Sequence, residues 1–209
     1  MKNETRLSQA FAFAEGLHKL QTRKVGKAED QQLAVSYLTH LVEVMSLVIQ
    51  GFGDEDQQIA ALLHDAVEDH PHTIDNQVTE EVIRELFGDR VAHLVDVCTD
   101  AKPKTADEPK APWFDRKSAH IAHLRSEGVK DSSVLLVPLA DKLSNGQAIV
   151  NDLLLHGPVV WDRFNAKPHQ TKWYYTSMLS VFQELIPHNP LVPRLERVVS
   201  QLQELANKS

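Results

Sequence analysis

Ala60-Ala61-Leu62-Leu63-His64-Asp65-Ala66-Val67-Glu68-Asp69 is the stretch on which the fold turns. Together with Ile59, its apolar residues (Leu62, Leu63, Ala66, Val67) recur at spacings of three and four, the period of a helix with one buried side. His64 and Asp65 are adjacent ligand-type residues. On a helix they diverge by about 100°, so both reach one ion only from the flank beside the apolar stripe. Glu68 lies four residues after His64 and three after Asp65, and Asp69 lies four after Asp65. All four polar groups therefore border one side of the helix. Four ionisable groups beside a core helix are costly unless a cation or polar partners compensate them. A bare His-Asp pair reads more readily as the acidic end of a solvated face, so the rest of the chain has to decide.

The same period runs through almost the whole chain. It predicts helices at 5–20, 31–50, 55–69, 79–87, 89–99, 113–127, 132–156, 170–186 and 191–206. No segment alternates with period two between hairpin dipeptides, so the fold class is all-α. Some boundaries carry their own signals. Asp54 with Gln57 three residues on forms a capping box. Thr79 precedes Glu80 and Glu81 as a cap with two negative charges in the first turn. Gly88 suits the residue after a helix C-terminus, with Asp89 capping the next helix. Residues 22–30, 70–78 and 101–112 read as loops. None is an obvious interdomain linker, so 1–209 reads as one domain.

Composition narrows the function classes. The 209 residues are 42% hydrophobic and 24% charged, which excludes a disordered chain. Lys plus Arg is 22 against 29 for Asp plus Glu, a net charge of −7. Nucleic acid and anionic membranes are poor partners for such a chain, because both reward a cationic surface. Cys98 is the only cysteine, so no internal disulfide forms, and it reads as a buried, inert thiol. The longest apolar run, 134–140, falls far short of the ~20 residues that span a bilayer. The start of the chain lacks the apolar region of a secretion signal, so the cytoplasm is the expected compartment.

Two further segments bear on the His64 stretch. In Tyr37-Leu38-Thr39-His40-Leu41, His40 sits among residues that must face a core. Alone it reads as well as a satisfied core histidine. In Val137-Pro138-Leu139-Ala140-Asp141-Lys142-Leu143-Ser144-Asn145, Asp141 follows a strongly apolar run and is drawn toward the interior. Desolvation would raise a lone carboxyl there, and a divalent metal would reverse that cost.

The order R-K, Y-x-x-H, H-D-x-x-E-D, A-D-K-L-x-N resembles the HD-domain metal-dependent phosphohydrolases. Within them it is similar to the hydrolase domain of the RelA/SpoT family, in particular the free-standing small alarmone hydrolases. The likeness spans about 18–186. It implies an HD-type helical bundle of eight to ten helices. It also implies a metal held by His40, His64, Asp65 and Asp141, usually Mn²⁺, although the ligand set alone suits Fe²⁺, Co²⁺ or Zn²⁺ as well. Glu68 and Asp69 match the pair that orients and deprotonates the attacking water. Arg23 and Lys24 match the basic pair that contacts the guanine nucleotide, and Asn145 matches a residue near its sugar and base. Lys102, with Lys104, Arg116, Lys117 and Lys142, adds to the cations available for phosphates. The implied reaction removes the 3′-pyrophosphate of guanosine tetra- or pentaphosphate, giving GDP or GTP.

The chain departs from the family pattern at 25–36, where the loop is longer, and at 144–148. There Ser144 stands where an aromatic or histidine is common, and Gly146-Gln147-Ala148 stands where the family commonly has a basic residue and often a threonine. These departures keep two alternatives open. One is another nucleotide substrate, as for an NADPH phosphatase or a nucleoside monophosphatase. The other is a non-catalytic nucleotide sensor. Trp161, Trp173, Tyr174 and Tyr175 read either as core residues or as a stacking wall.

Overall fold

The structure is a computed structural model. It describes residues 5–23, 35–69, 80–100 and 111–207, the side chain of Asp69 excepted. Lys24, Lys102, Lys104, the Thr79 cap and most of the three expected loops lie outside the described residues. Among the described residues the regular structure is helical. The elements are α1 (Arg6–His18), α2 (Leu38–Gln50), α3 (Glu55–Leu63), α4 (Ala66–Asp69), α5 (Glu80–Phe87), α6 (Asp89–Cys98), α7 (Trp113–Lys130), α8 (Leu136–His156), α9 (Pro168–Leu185) and α10 (Val192–Ala206). Short 3₁₀ turns cover Ser132–Leu135 and Gly157–Arg163. An isolated antiparallel bridge joins Thr22 to Ser36.

Helix α3 is the axle of the fold. It packs against α1, α2, α6 and α8. Ile59, Ala60, Ala61, Leu62 and Leu63 are all fully buried, so the helix is apolar all round rather than along one stripe. The expected capping box starts it. Asp54 Oδ1 accepts from Gln57 N at 3.1 Å, and Asp54 N donates to Gln57 Oε1 at 2.9 Å. Helices α2 and α8 pack on each other and on α3, which brings three ligand-bearing segments to one place.

Four expected boundaries need correction. The helix expected at 55–69 is interrupted at His64 and Asp65. The His64 ring Nδ1 bonds to the Ala61 carbonyl at 2.8 Å, the acceptor that the Asp65 amide would use in an unbroken helix. The helix expected from 31 runs from Leu38 in the described part. Ser36 is pinned in an isolated bridge to Thr22, with Arg23 N donating to Val35 O and Tyr37 N to Gln21 O, both at 2.9 Å. The helix expected from 132 begins with a 3₁₀ turn, and Pro138 falls in the first turn of α8, where its missing N–H costs nothing. Gly88, at φ 94°, caps the start of α6, with Asp89 as its first acidic residue rather than its cap.

Gly146 sets how closely α8 approaches its neighbours. A Cβ there would lie 2.7 Å from Val198 Cγ1 and 2.8 Å from Tyr175 Cε1. A valine methyl and a ring edge cannot swing aside cheaply. Gly146→Ala is therefore expected to destabilise the fold by about 1–3 kcal/mol despite alanine's better helix propensity. Urea melts of the two proteins check this, and an unchanged midpoint would show that α8 can move outward without penalty.

Candidate active site

Three helical segments converge on one cluster. His40 comes from α2, His64 and Asp65 from the break between α3 and α4, and Asp141 from α8. His40, His64 and Asp65 each offer a ligand atom within 4.8 Å of the others. Asp141 Oδ1 lies 3.2 Å from His40 Nε2 and 3.5 Å from His64 Nε2. Asp65 Oδ2 lies 3.1 Å from His64 Nε2 and 3.9 Å from His40 Nε2.

The far side of each imidazole fixes its tautomer. Since a carbonyl only accepts, His64 Nδ1 carries its proton toward Ala61 O. His40 Nδ1 sits 3.1 Å from Ser144 Oγ, and Ser144 donates its own hydroxyl proton to Glu43 Oε2 at 2.9 Å. Ser144 Oγ therefore accepts from His40 Nδ1–H. Both buried Nε2 atoms lack a hydrogen-bond partner. In the neutral rings they are lone pairs facing carboxylate oxygens, an arrangement that calls for a cation between them. Two imidazoles and two carboxylates suit a divalent metal, so the residues fit such an ion.

The carboxylates are held from behind. Tyr37 donates its hydroxyl to Asp65 Oδ2. Asn145 Nδ2 donates to Asp141 Oδ1 at 2.6 Å, and Lys142 Nζ donates to Asp141 Oδ2 at 2.5 Å. Arg23 Nη2 donates to Asn145 Oδ1 at 3.3 Å. A cavity of about 270 Å³ opens over the cluster and is walled by Asp65, Glu68, Asp100, Lys117, Asp141 and Lys142. A second cavity of about 390 Å³ shares Tyr37, Lys117 and Asn145 with it and adds Arg23, Phe164 and Tyr175. Lys117 pairs with Asp100, as does Arg116 at 3.2 Å. The ammonium groups of Lys117 and Lys142 lie 4.8 and 5.7 Å from the Tyr174 ring centroid.

Burial and neighbouring charge tune these groups. Burial alone would lower His64, but the charge of Asp65 and the contact with Asp141 outweigh it and push the imidazole well above its usual value, so in metal-free protein a proton on Nε2 takes the place a cation would fill. Burial would raise Asp65, yet His64 holds it at about 2. Glu68 is pushed upward, by burial first and then by the charges of Asp65 and Asp100. Lys117 is lowered, by burial and then by the charge of Lys142. Cys98 is half-buried rather than buried and lines the cavity. Its thiol is pushed well above the usual range by burial and then by Asp141, which leaves it inert.

His120 on α7 is buried at the cavity wall, and its Nδ1 has no partner among the described residues. Burial first, and then the charge of Lys142, lower it to about 3. Between its ordinary value near 6.5 and about 3, the unfolded chain binds a proton that the folded ring refuses. The stability tied to His120 is thus complete above about pH 6.5 and drains away as the pH falls toward 3, at up to about 1.4 kcal/mol per pH unit. His120→Gln should flatten this part of the stability profile in metal-free protein. Urea melts at pH 7, 6 and 5 check it, and parallel profiles for the two proteins would contradict it.

Of the residues singled out from sequence, Asp65, Asp141, Glu68 and Asn145 line the first cavity and Arg23 the second, while His40 and His64 lie buried against Asp65 and Asp141. Asp69 ends α4, and its side chain lies outside the described residues, as do Lys24 and Lys102. Arg116, Lys117 and Lys142 supply cations at the site. Of the aromatic residues, Trp161 joins the core, Trp173 packs on Phe114 at 4.5 Å between ring centroids, and Tyr175 lines the second cavity. Sequence reasoning did not place Glu43, Ser144, Asp100 or His120 at the site, where the structure puts them behind His40 or in the cavity wall. Glu43 had a signal, being three residues after His40 on the same helix, and Ser144 had one in its departure from the family pattern.

This helical fold places two histidines and two carboxylates beside a cavity lined by both acidic and basic side chains. The chain belongs to the HD domain family, which matches residues 10–172. It is 32% identical over 143 residues to the bifunctional (p)ppGpp synthase/hydrolase SpoT of Escherichia coli, covering 67% of this chain and 17% of that protein. It is 34% identical over 142 residues to a probable guanosine-3′,5′-bis(diphosphate) 3′-pyrophosphohydrolase of Synechocystis, covering 66% and 16%. The chain thus spans about a sixth of the length of these curated relatives. Among solved structures, a metazoan ortholog of SpoT described as hydrolysing ppGpp superposes with a TM-score of 0.66 at 24% identity, over 96% of this chain and 97% of that one. The lmo0812 protein of Listeria monocytogenes superposes with a TM-score of 0.65 at 27% identity, over 79% and 99%. No helix among the described residues is long and apolar enough to cross a membrane.

Proposed function

We propose that this chain is a Mn²⁺-dependent hydrolase that removes the 3′-pyrophosphate of guanosine tetra- and pentaphosphate, releasing GDP or GTP. The observation that carries the reading is the pair of bare, buried Nε2 atoms of His40 and His64 facing Asp65 and Asp141 in the cavity that holds Glu68. The relatives named as a (p)ppGpp synthase/hydrolase and a probable 3′-pyrophosphohydrolase support the substrate. His40, His64, Asp65 and Asp141 would hold the ion. When bound, it would lower the pKa of a water and offset negative charge gathering on the phosphate.

The chain's own groups do the rest. Glu68, kept near the cluster by the Asp100 N–H at 3.3 Å, takes the proton of the attacking water. Asp69 is its partner in that task. Lys117 and Lys142 meet the phosphate oxygens, and their charges stabilise the leaving pyrophosphate more strongly in a walled cavity than in water. Arg23 draws the polyphosphate inward, a task that Lys24 and Lys102 share. Asn145 and the Tyr175 wall take the nucleoside. The two cavities, about 270 and 390 Å³, suit a diphosphate beside a nucleoside. Such an activity belongs in the cytoplasm.

The test is turnover of ppGpp by metal-stripped protein with Mn²⁺ restored, following GDP and pyrophosphate together. Equimolar products that vanish without Mn²⁺ are expected. The engagement of Ser144 with His40 and Glu43 favours a second reading, a different phosphorylated nucleotide in the same site. NADPH and nucleoside monophosphates in the same assay separate the two. Metal binding without turnover of any of them would leave a nucleotide sensor.

A further inference from the structure

We propose that Ser144 and Glu43 form a positioning relay behind the cluster, with Ser144 Oγ locking the His40 ring so that its bare Nε2 faces Asp141. The inference rests on reading His40, His64, Asp65 and Asp141 as a metal centre. It adds how this chain, with serine at position 144, orients one of the ligands.

Proton accounting carries the argument. An ionised carboxylate only accepts, so the Ser144 hydroxyl spends its single proton on Glu43 Oε2 at 2.9 Å. The serine oxygen is then an acceptor aimed at His40 Nδ1, 3.1 Å away. An imidazole proton drawn to Nδ1 leaves Nε2 free to bind. A hydroxyl with no acceptor behind it could rotate and donate to Nδ1 instead, which would put the ring proton on Nε2 and block it. Glu43 sets the direction of the whole chain of bonds.

Placement makes the relay a structural brace as well. His40 and Glu43 lie three residues apart on α2, and Asp141 and Ser144 lie three apart on α8. Each helix thus contributes one cluster residue and one relay residue on the same face. The Ser144–Glu43 bond ties α2 to α8 one turn away from the point where His40 meets Asp141. Ser144 and His40 are both buried, at 1% exposure each, so water does not compete for the inner bond. The outer end is different. The Glu43 side chain is 47% exposed and lies 3.7 Å from Arg23 Nη1, and Arg23 also reaches Asn145. One carboxylate therefore holds a ring of the cluster on one side and a cation of the second cavity on the other.

Outer partners of ligating histidines are worth tenfold to a hundredfold in metal affinity. Mn²⁺ titrations of full-length wild type, Ser144→Ala and Ser144→Thr test the relay. Ser144→Ala is expected to bind Mn²⁺ ten- to a hundredfold more weakly, and Ser144→Thr, which keeps the hydroxyl, within about threefold of wild type. A spectroscopic reading is independent of activity. In protein loaded with diamagnetic Zn²⁺, the His40 Nδ1 proton should exchange slowly in wild type and Ser144→Thr and be lost to exchange in Ser144→Ala. Should Ser144→Ala not fold, Glu43→Leu at the half-exposed end reads the same relay, and it should weaken Mn²⁺ at least threefold. Wild type that binds Mn²⁺ beside a Ser144→Ala or Glu43→Leu variant that binds equally well overturns the relay. Wild type that binds no Mn²⁺ overturns the metal-centre reading instead.

Discussion

Glu68→Gln is expected to cut turnover by about 10²–10⁴-fold while leaving Mn²⁺ affinity within a few-fold of wild type. The substitution preserves size and keeps an acceptor for the Asp100 N–H, so α4 has no reason to move. It removes the one property a general base needs. Glu68 is outside the cluster of His40, His64 and Asp65, so the separation of rate from metal binding is the informative outcome. The wild-type pH profile supplies a second reading. Burial and the charges of Asp65 and Asp100 raise the Glu68 carboxyl above 4.5, while Lys117 opposes them. A base works deprotonated, so kcat/KM should fall as the pH drops through that raised value, and this acid limb should lie above the range of an exposed glutamate. A Glu68→Gln enzyme with more than a tenth of wild-type turnover would move the role to another group, with Asp69 first in line.

Much of the site was legible because its signals are local. Asp54 and Gln57 are three residues apart, and their capping box appears where the spacing places it. His64, Asp65 and Glu68 read as one flank of a single apolar helix; the helix breaks at His64 and Asp65, yet Asp65 and Glu68 still border the cavity. His40 and Asp141 were harder. Each stands in an apolar run, which marks burial but not a common destination, and only the likeness to a known family joined them to His64. The break at His64 was illegible for a physical reason. Periodicity describes which face is buried, whereas the interruption comes from a side chain competing with an amide for the Ala61 carbonyl.

Contacts between distant helices were beyond any spacing rule. Ser144 and Glu43 are 101 residues apart, and their bond exists only because α2 packs on α8. The burial of His120 is of the same kind. Its helix is largely polar, and the ring is covered by what surrounds the cavity rather than by its sequence neighbours. The net charge of −7 was no guide to the site either, because Arg23, Arg116, Lys117 and Lys142 gather there from three separate stretches of chain.

Lys142→Met should lower the stability of metal-free protein by about 3 kcal/mol, a fall in Tm of about 6–12 °C for a chain of this length. Lys142 Nζ lies 2.5 Å from Asp141 Oδ2, and the two side chains are 17% and 10% exposed. Burial would lower the ammonium, yet Asp141 raises it well above its ordinary value, so it remains charged and paired. Methionine keeps the length of the side chain and its packing on Tyr174 but leaves the Asp141 carboxylate without its cation. A divalent ion at the cluster would supply that charge from the other side of the same carboxylate. The deficit is therefore expected to shrink to under about 1 kcal/mol when the melts are repeated with saturating Mn²⁺, beyond the stabilisation that binding gives both proteins alike. Equal deficits with and without the ion would mean that Lys142 acts through packing rather than as the partner cation of Asp141 in metal-free protein. The contrast matters for the chemistry as well. With a divalent ion held by the cluster, Lys142 would be free to turn toward phosphate, so one residue would stabilise the fold in metal-free protein and the substrate in loaded protein.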